Sequence, residues 1–234
     1  MIPLVAFPKD CRCFAKGSIL EFLPGVNLIV GDQGAGKSTL VQQVALWIAH
    51  KQGRTHDDKA GSTRNLAVSC TWEGPPGGVG YMDFEKHNPR TAPGFGMYGL
   101  DTASQVQSLW RSHGETVRRF LGLDDLGTGC ILLDEPDMAL SPRSIKTLAE
   151  GMKAAAEKGG QIIAAVHNPA LIAAFDRVLS LEHGKWLPSA EFLALQATTP
   201  APTWDKETPR TIHAYLPGGT FSVLDAKLAR GVQK

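Results

Sequence analysis

The chain has 234 residues, 43% of them hydrophobic, which is enough for one substantial core. Its 24 Lys and Arg against 23 Asp and Glu leave a formal net charge of +1, which excludes a global field drawing it to nucleic acid or anionic lipid. The cysteines Cys11, Cys13, Cys70 and Cys130 lack the paired Cys/His spacing of a zinc site, and the opening MIPLVAFPKD lacks a basic region followed by an apolar stretch, so a reduced, cytoplasmic setting without export or membrane insertion is expected.

Residues 4–7 and 19–23 read as antiparallel strands leading, across the turn Pro24-Gly25, into the apolar strand VNLIV at Val26–Val30. A helix is expected over Lys37–Lys51. Two Gly-rich tracts, residues 74–80 and 94–99, should be loops on either side of a strand at 81–84, followed by a helix over 102–121. Further strands are expected at 131–133, 161–166 and 178–181, with a helix over 141–158 whose Ser-Pro opening favours a capped start. The run TTPAPTWDKETP at 198–209 reads as a surface linker, and residues 211–234 as a short hairpin or helical appendage. The expected division is a domain over 1–190 and a Pro-containing linker with a small appendage over 191–234. Strands alternating with helices give an α/β rhythm.

Between VNLIV and the first helix stands GDQGAGKS, residues 31–38, which fits G-x-x-x-x-G-K-[ST] in the context that motif requires. Glycine at positions 31, 34 and 36 lets the backbone curl so that successive N–H groups face phosphate oxygens, and the helix start adds its positive dipole end. Gly31, Asp32, Gln33, Gly34, Ala35, Gly36, Lys37, Ser38 and Thr39 are therefore expected to hold a nucleotide. Lys37 should neutralise the β- and γ-phosphates, and the Ser38 hydroxyl should ligate Mg²⁺. Downstream, CILLDEP is an apolar strand ending in two carboxylates: Asp134 is expected in the Mg²⁺ shell and Glu135 as the group that orients, or takes a proton from, an attacking water. The bland readings, a chance Gly-rich turn and a solvated acid pair, explain neither the strand before each motif nor their order.

LLDEP followed by DMALSPRS resembles the Walker B and D-loop region of the ABC ATPase superfamily, nearer to the soluble AAA-type ATPases that group with SMC and RecF proteins than to transporter subunits. The resemblance implies an α/β P-loop NTPase fold of ABC ATPase type, with a mixed, mostly parallel sheet flanked by helices and an antiparallel β subdomain at the N-terminus. It also implies ATP and Mg²⁺ as cofactors and ATP hydrolysis as the activity. His167, after the strand QIIAAVH, is similar to the family's switch histidine and is a second catalytic candidate. RSHGET at 111–116 resembles a divergent signature motif, in which Ser112, Gly114 and Glu115 would contact the nucleotide held by an opposing subunit. CRCF resembles an early strand of SMC-like ATPases, which would bring Arg12 to the nucleotide. In the family the D-loop usually ends in an acid, where this chain has Ser141. The Q-loop position falls in YMDFE, which has no Gln, so Asp83 or Glu85 would stand there instead.

The function so implied is an ATP-driven switch acting in DNA repair, chromosome maintenance or phage defence. Its partner would be a second copy or a related ATPase subunit, joined on ATP binding, with DNA or a protein as the target. Two alternatives stand beside it. A transporter nucleotide-binding subunit would carry a Q-loop Gln and an LSGGQ-like signature, and a nucleotide-gated scaffold would turn over negligibly. A ring-forming AAA+ motor would need a helical lid, which the Pro-interrupted C-terminal stretch does not suggest.

Overall fold

The computed structural model describes residues 1–51, 66–73, 79–84, 129–198 and 209–216. In chain order these form β1 (Leu4–Ala6), β2 (Ile19–Glu21), β3 (Val26–Val30), α1 (Lys37–Lys51), β4 (Ser69–Cys70), β5 (Val79–Asp83), β6 (Cys130–Asp134) and α2 (Pro142–Glu157). They continue with β7 (Gln161–Ala165), α3 (Pro169–Ile172), β8 (Arg177–Ser180), β9 (Lys185–Pro188), α4 (Ser189–Thr198) and β10 (His213–Ala214).

Six strands make the central sheet in the order β5-β6-β7-β3-β8-β9, parallel except for β9, which runs back along β8. Its strands are apolar throughout because both faces are covered, and the period-two alternation sorts side chains between two cores. Ile29, Leu132, Ile163, Ala165 and Leu179 pack with Leu40, Val41, Val44 and Ile48 of α1 and with Phe7, Phe14 and Leu20 of the N-terminal region. Their neighbours Leu28, Val30, Ile131, Leu133, Ile162, Ala164 and Val178 pack on the opposite side against α2, α3 and Phe192 of α4. The α2 residues in that core, Ile145, Leu148, Ala149, Met152 and Ala155, recur at the three- and four-residue spacing of one helix face. That helix starts as its sequence suggests: Ser141 is the N-cap, its hydroxyl accepting from Ser144 N at 3.2 Å, and Pro142 opens the first turn.

The second sheet, β10-β2-β1-β4, is antiparallel across β1 and parallel where β10 meets β2. Buried Gln161 ties it to the central sheet: its side-chain amide donates to Ile2 O at 2.9 Å and Leu23 O at 3.1 Å, and its oxygen accepts from Ile2 N. An unpaired amide there would be costly, so this exchange sets how the two sheets meet.

The fold is thus α/β, a mixed and mostly parallel sheet flanked by helices, with a largely antiparallel β subdomain formed chiefly by N-terminal strands. Several elements differ from the sequence reading. β4, β9, α3, α4 and β10 were not expected; three of them are strands of two to four residues, too short for a period to register. The expected domain boundary after residue 190 falls inside α4, which buries Phe192 against β8 and β9. Residues 209–216, expected in a linker and appendage, instead dock on the N-terminal sheet through β10 and through Arg210, which bridges to Phe14. The reading of 102–121 as a helix and the Gly-rich tract 94–99 lie outside the described residues. Among the described residues no helix is long and apolar enough to cross a membrane.

Candidate nucleotide site

Five parallel strands, β5, β6, β7, β3 and β8, end on one edge of the central sheet, and the site groups described below lie at these ends or on α1, apart from Arg12, Cys13 and Phe14, which come from the segment between β1 and β2. After β3 the chain turns through Gly31, Gly34 and Gly36, whose φ values of +146°, +89° and +102° lie where side chains rarely go. Gly36 is required twice over, because a Cβ there would meet Cys13 Sγ at 2.2 Å and Phe14 Cε2 at 2.9 Å. The loop's underside is thereby moulded on CRCF: the Phe14 ring stacks on Phe7 at 4.3 Å, and Cys13 Sγ donates to Ala35 O.

Lys37 is 5% exposed and turns back under the loop, donating to Gly31 O at 2.6 Å and Asp32 O at 3.1 Å. Burial lowers its pKa, while the charges of Glu135, Glu182, Asp32 and Asp134 oppose that shift. The same ammonium can exchange two carbonyls for phosphate oxygens. Arg12, exposed and in left-handed backbone (φ +51°), reaches the start of α1, with Nη1 3.4 Å from Thr39 Oγ1.

Asp134 closes β6 on the α1 face and is 4% exposed. The Ser38 hydroxyl hydrogen-bonds it, and Gln42 Nε2 lies 3.5 Å from its Oδ2, but its Oδ1 is buried without a partner. Burial raises the Asp134 pKa, opposed by the Ser38 bond and reinforced by the neighbouring charges of Asp83 and Glu135. A buried carboxylate oxygen left open beside a serine hydroxyl fits a hard divalent cation, so Ser38 and Asp134 are suited to Mg²⁺.

Glu135 stands one residue on in left-handed backbone (φ +56°), its N–H bonded to Ala165 O at the end of β7. That turn carries its side chain to His167, with Oε1 and Nε2 3.3 Å apart and the two side chains 34% and 46% exposed. Buried Asp137 holds the other side of the junction, its Oδ2 accepting from the N–H groups of both His167 and Asn168. Glu135, Asp137, Met138, His167 and Asn168 line an open cleft of about 370 Å³. A larger cleft, about 560 Å³, contains Val26 and Arg177 at the opposite ends of β3 and β8 and none of these groups.

The structure therefore gathers residues 31–39, Asp134, Glu135 and His167 on one edge, with Arg12 at the flank. Ser112, Gly114 and Glu115 lie outside the described residues, as does Glu85; Asp83 is at the tip of β5, next to Asp134. Sequence reasoning missed Asp137 and Glu182. Glu182, in the turn after β8, accepts from Asp32 N through one oxygen and from Gln196 Nε2 of α4 through the other, at 3.0 Å, so α4 braces the first turn of the loop.

Residues 9–107 match the family described as "AAA domain", and residues 108–173 match the one described as "AAA domain, putative AbiEii toxin, Type IV TA system". No curated protein matches the chain. Among solved structures, the ADP conformation of an ATP-binding cassette of an ABC transporter is similar at 15% identity and a TM-score of 0.42, over 86% of this chain and 97% of that one. The two AAA-domain matches abut between residues 107 and 108 and together span both the phosphate loop and the acid pair, so the chain is similar to AAA-domain proteins across both motifs.

Proposed function

We propose that the chain binds ATP at residues 31–39, hydrolyses it with Glu135, and completes its site by pairing with a second copy or a related subunit. The observation that carries this reading is the Glu135–His167 pair, which lies beside Asp134 and within electrostatic range of Lys37. In this scheme the loop's main-chain N–H groups and Lys37 grip the phosphates. Mg²⁺ held by Ser38 and Asp134 would neutralise charge on the β- and γ-phosphate oxygens. Water attacks the γ-phosphorus as its bond to the bridging oxygen breaks; ADP leaves with that oxygen, and Glu135 takes the proton that the water loses. His167 holds the Glu135 carboxylate in position.

Pairing is supported by the openness of the cleft, since phosphoryl transfer is favoured where water is excluded and this face is exposed. Ser112, Gly114 and Glu115 are the residues we assign to the opposing site. The SMC/RecF-like resemblance and the toxin–antitoxin wording of one family description support a role in DNA repair, chromosome maintenance or phage defence.

Light scattering after size exclusion tests the pairing. With Mg-ATP, Glu135→Gln protein should run as a dimer, whereas Ser112→Arg added to it should restore a monomer that still binds ATP. A Glu135→Gln protein that stays monomeric would overturn the homodimer. Stimulation of hydrolysis by double-stranded DNA would support the DNA-linked role, and its absence would favour a protein target.

A further inference from the structure

We propose that Glu182 is a positioning residue for Lys37: it fixes the peptide group that holds the lysine most closely, and its second oxygen makes the grip on the nucleotide depend on α4. The inference rests on reading Lys37 as a phosphate-binding group, and it adds to that reading what holds the lysine in place and which element can loosen it.

The placement follows from strand register. β3 and β8 run parallel with Ile29 opposite Leu179 and Val30 opposite Ser180, and Leu181 N donates to Val30 O at 3.0 Å beyond the last pair. The two segments therefore leave the sheet side by side, Gly31-Asp32 next to Leu181-Glu182. They lie close, since a Cβ on Gly31 would stand 3.4 Å from Glu182 Cγ. A trans peptide group is planar, with its N–H and C=O pointing opposite ways. The trans group that joins Gly31 to Asp32 gives its N–H to Glu182 Oε1, while its C=O accepts from Lys37 Nζ at 2.6 Å. Glu182 and Lys37 thus hold the two sides of one rigid unit.

Rotating that unit breaks the Glu182 bond and withdraws the shorter of the lysine's two anchors in one step, so the carboxylate keeps the ammonium where it rests. Glu182 also lends charge. Lys37 is buried, and after Glu135 the charge of Glu182 is the largest that opposes the lowering of its pKa. A carboxylate suits this place because it only accepts, through two oxygens that can serve two elements. Oε1 takes Asp32 N, and Oε2 takes Gln196 Nε2 of α4 at 3.0 Å. Burial raises the Glu182 pKa, the Asp32 N–H bond opposes that shift, and the Asp32 carboxylate beside it adds to the rise. Displacing α4 frees one oxygen of this carboxylate and lets it swing, which loosens the Gly31-Asp32 peptide and with it Lys37. By linkage, a nucleotide that fixes the loop favours α4 in its docked position.

The test joins calorimetric titration of the full chain with ATP to the NMR signal of the Lys37 ammonium in nucleotide-free protein, which is seen only where hydrogen bonds slow its proton exchange. Glu182→Ala should erase that signal and weaken ATP binding by at least about 10-fold, the weight of a lost hydrogen bond to a charged group. Glu182→Gln keeps an oxygen for Asp32 N and should retain the signal, with an affinity within about 3-fold of wild type. Gln196→Ala, a change on the surface of α4, should weaken binding by about 2- to 10-fold, as the loss of one exposed hydrogen bond does. Thermal melts check that each variant folds, and if Glu182→Ala does not, Gln196→Ala and Glu182→Gln carry the test. A Glu182→Ala protein that binds ATP like wild type with its lysine signal intact, a Glu182→Gln protein as impaired as Glu182→Ala, or a Gln196→Ala protein of wild-type affinity would overturn the inference. Should wild-type protein bind no ATP while the Lys37 signal is present and is lost on Glu182→Ala, the nucleotide reading falls and the positioning of the lysine stands.

Discussion

At the scale of single residues, Gly36 and Glu135 use the same left-handed region for opposite reasons. Gly36 is there because nothing larger fits between the loop and Cys13 and Phe14. Gly36→Ala should lower stability by about 1–3 kcal/mol, the usual cost of overpacking or a strained backbone, and a thermal melt would show it. Glu135 holds a conformation costing about 1–2 kcal/mol for a side chain, in order to carry its carboxylate to His167. Glu135→Gly should consequently lose hydrolysis yet melt no lower than wild type; a clear drop in melting temperature would show that the side chain stabilises the turn instead. The phosphate loop, the acid pair and His167 were legible because each is a residue type at a fixed place after an apolar strand. Asp137 and Glu182 were not, because they act on main-chain N–H groups of segments 30 and 150 residues away, and no spacing records such a contact.

Among the elements, the junctions matter more than the strands. Asp137 joins the turn after β6 to the chain after β7, and each hydrogen bond to its charge is worth about 1.5–3 kcal/mol. Asp137→Ala should release His167 from Glu135, lowering both the urea midpoint and the hydrolysis rate, whereas a change confined to stability would mean that the pair holds without its anchor. Ser18 performs a like task for β10: its hydroxyl donates to Ala15 O and accepts from Ile212 N at 3.0 Å. Ser18→Ala leaves that buried N–H unpaired and should cost about 1–3 kcal/mol in equilibrium unfolding. The long parallel strands could be read from their apolar runs. β9, α4 and β10 could not, since Lys185–Pro188 and His213–Ala214 carry two buried residues and one, and α4 buries chiefly Phe192.

On the scale of the whole molecule, the three layers seal the thiols as well as the core. Cys70 and Cys130 are fully or nearly fully buried, and burial pushes the Cys130 thiol up to about 12 and the Cys70 thiol well above its ordinary value. The folded chain thus keeps protons that the unfolded chain releases above about pH 8.5. Stability should fall as pH rises past that point, by up to about 1.4 kcal/mol per pH unit for each such thiol. Denaturant unfolding between pH 8 and 10 should show a shallower decline for Cys130→Ala than for wild type; equal slopes would refute the burial argument. The same layering brings the carboxyl ends of β3, β6 and β7 to one edge, and the whole functional account depends on that convergence. Its most direct test is single-turnover phosphate release from ATP bound to Glu135→Gln protein in Mg²⁺. The account predicts wild-type affinity for ATP with release slowed by about 10²–10⁴-fold, the usual weight of a positioned base. Release at the wild-type rate would contradict it.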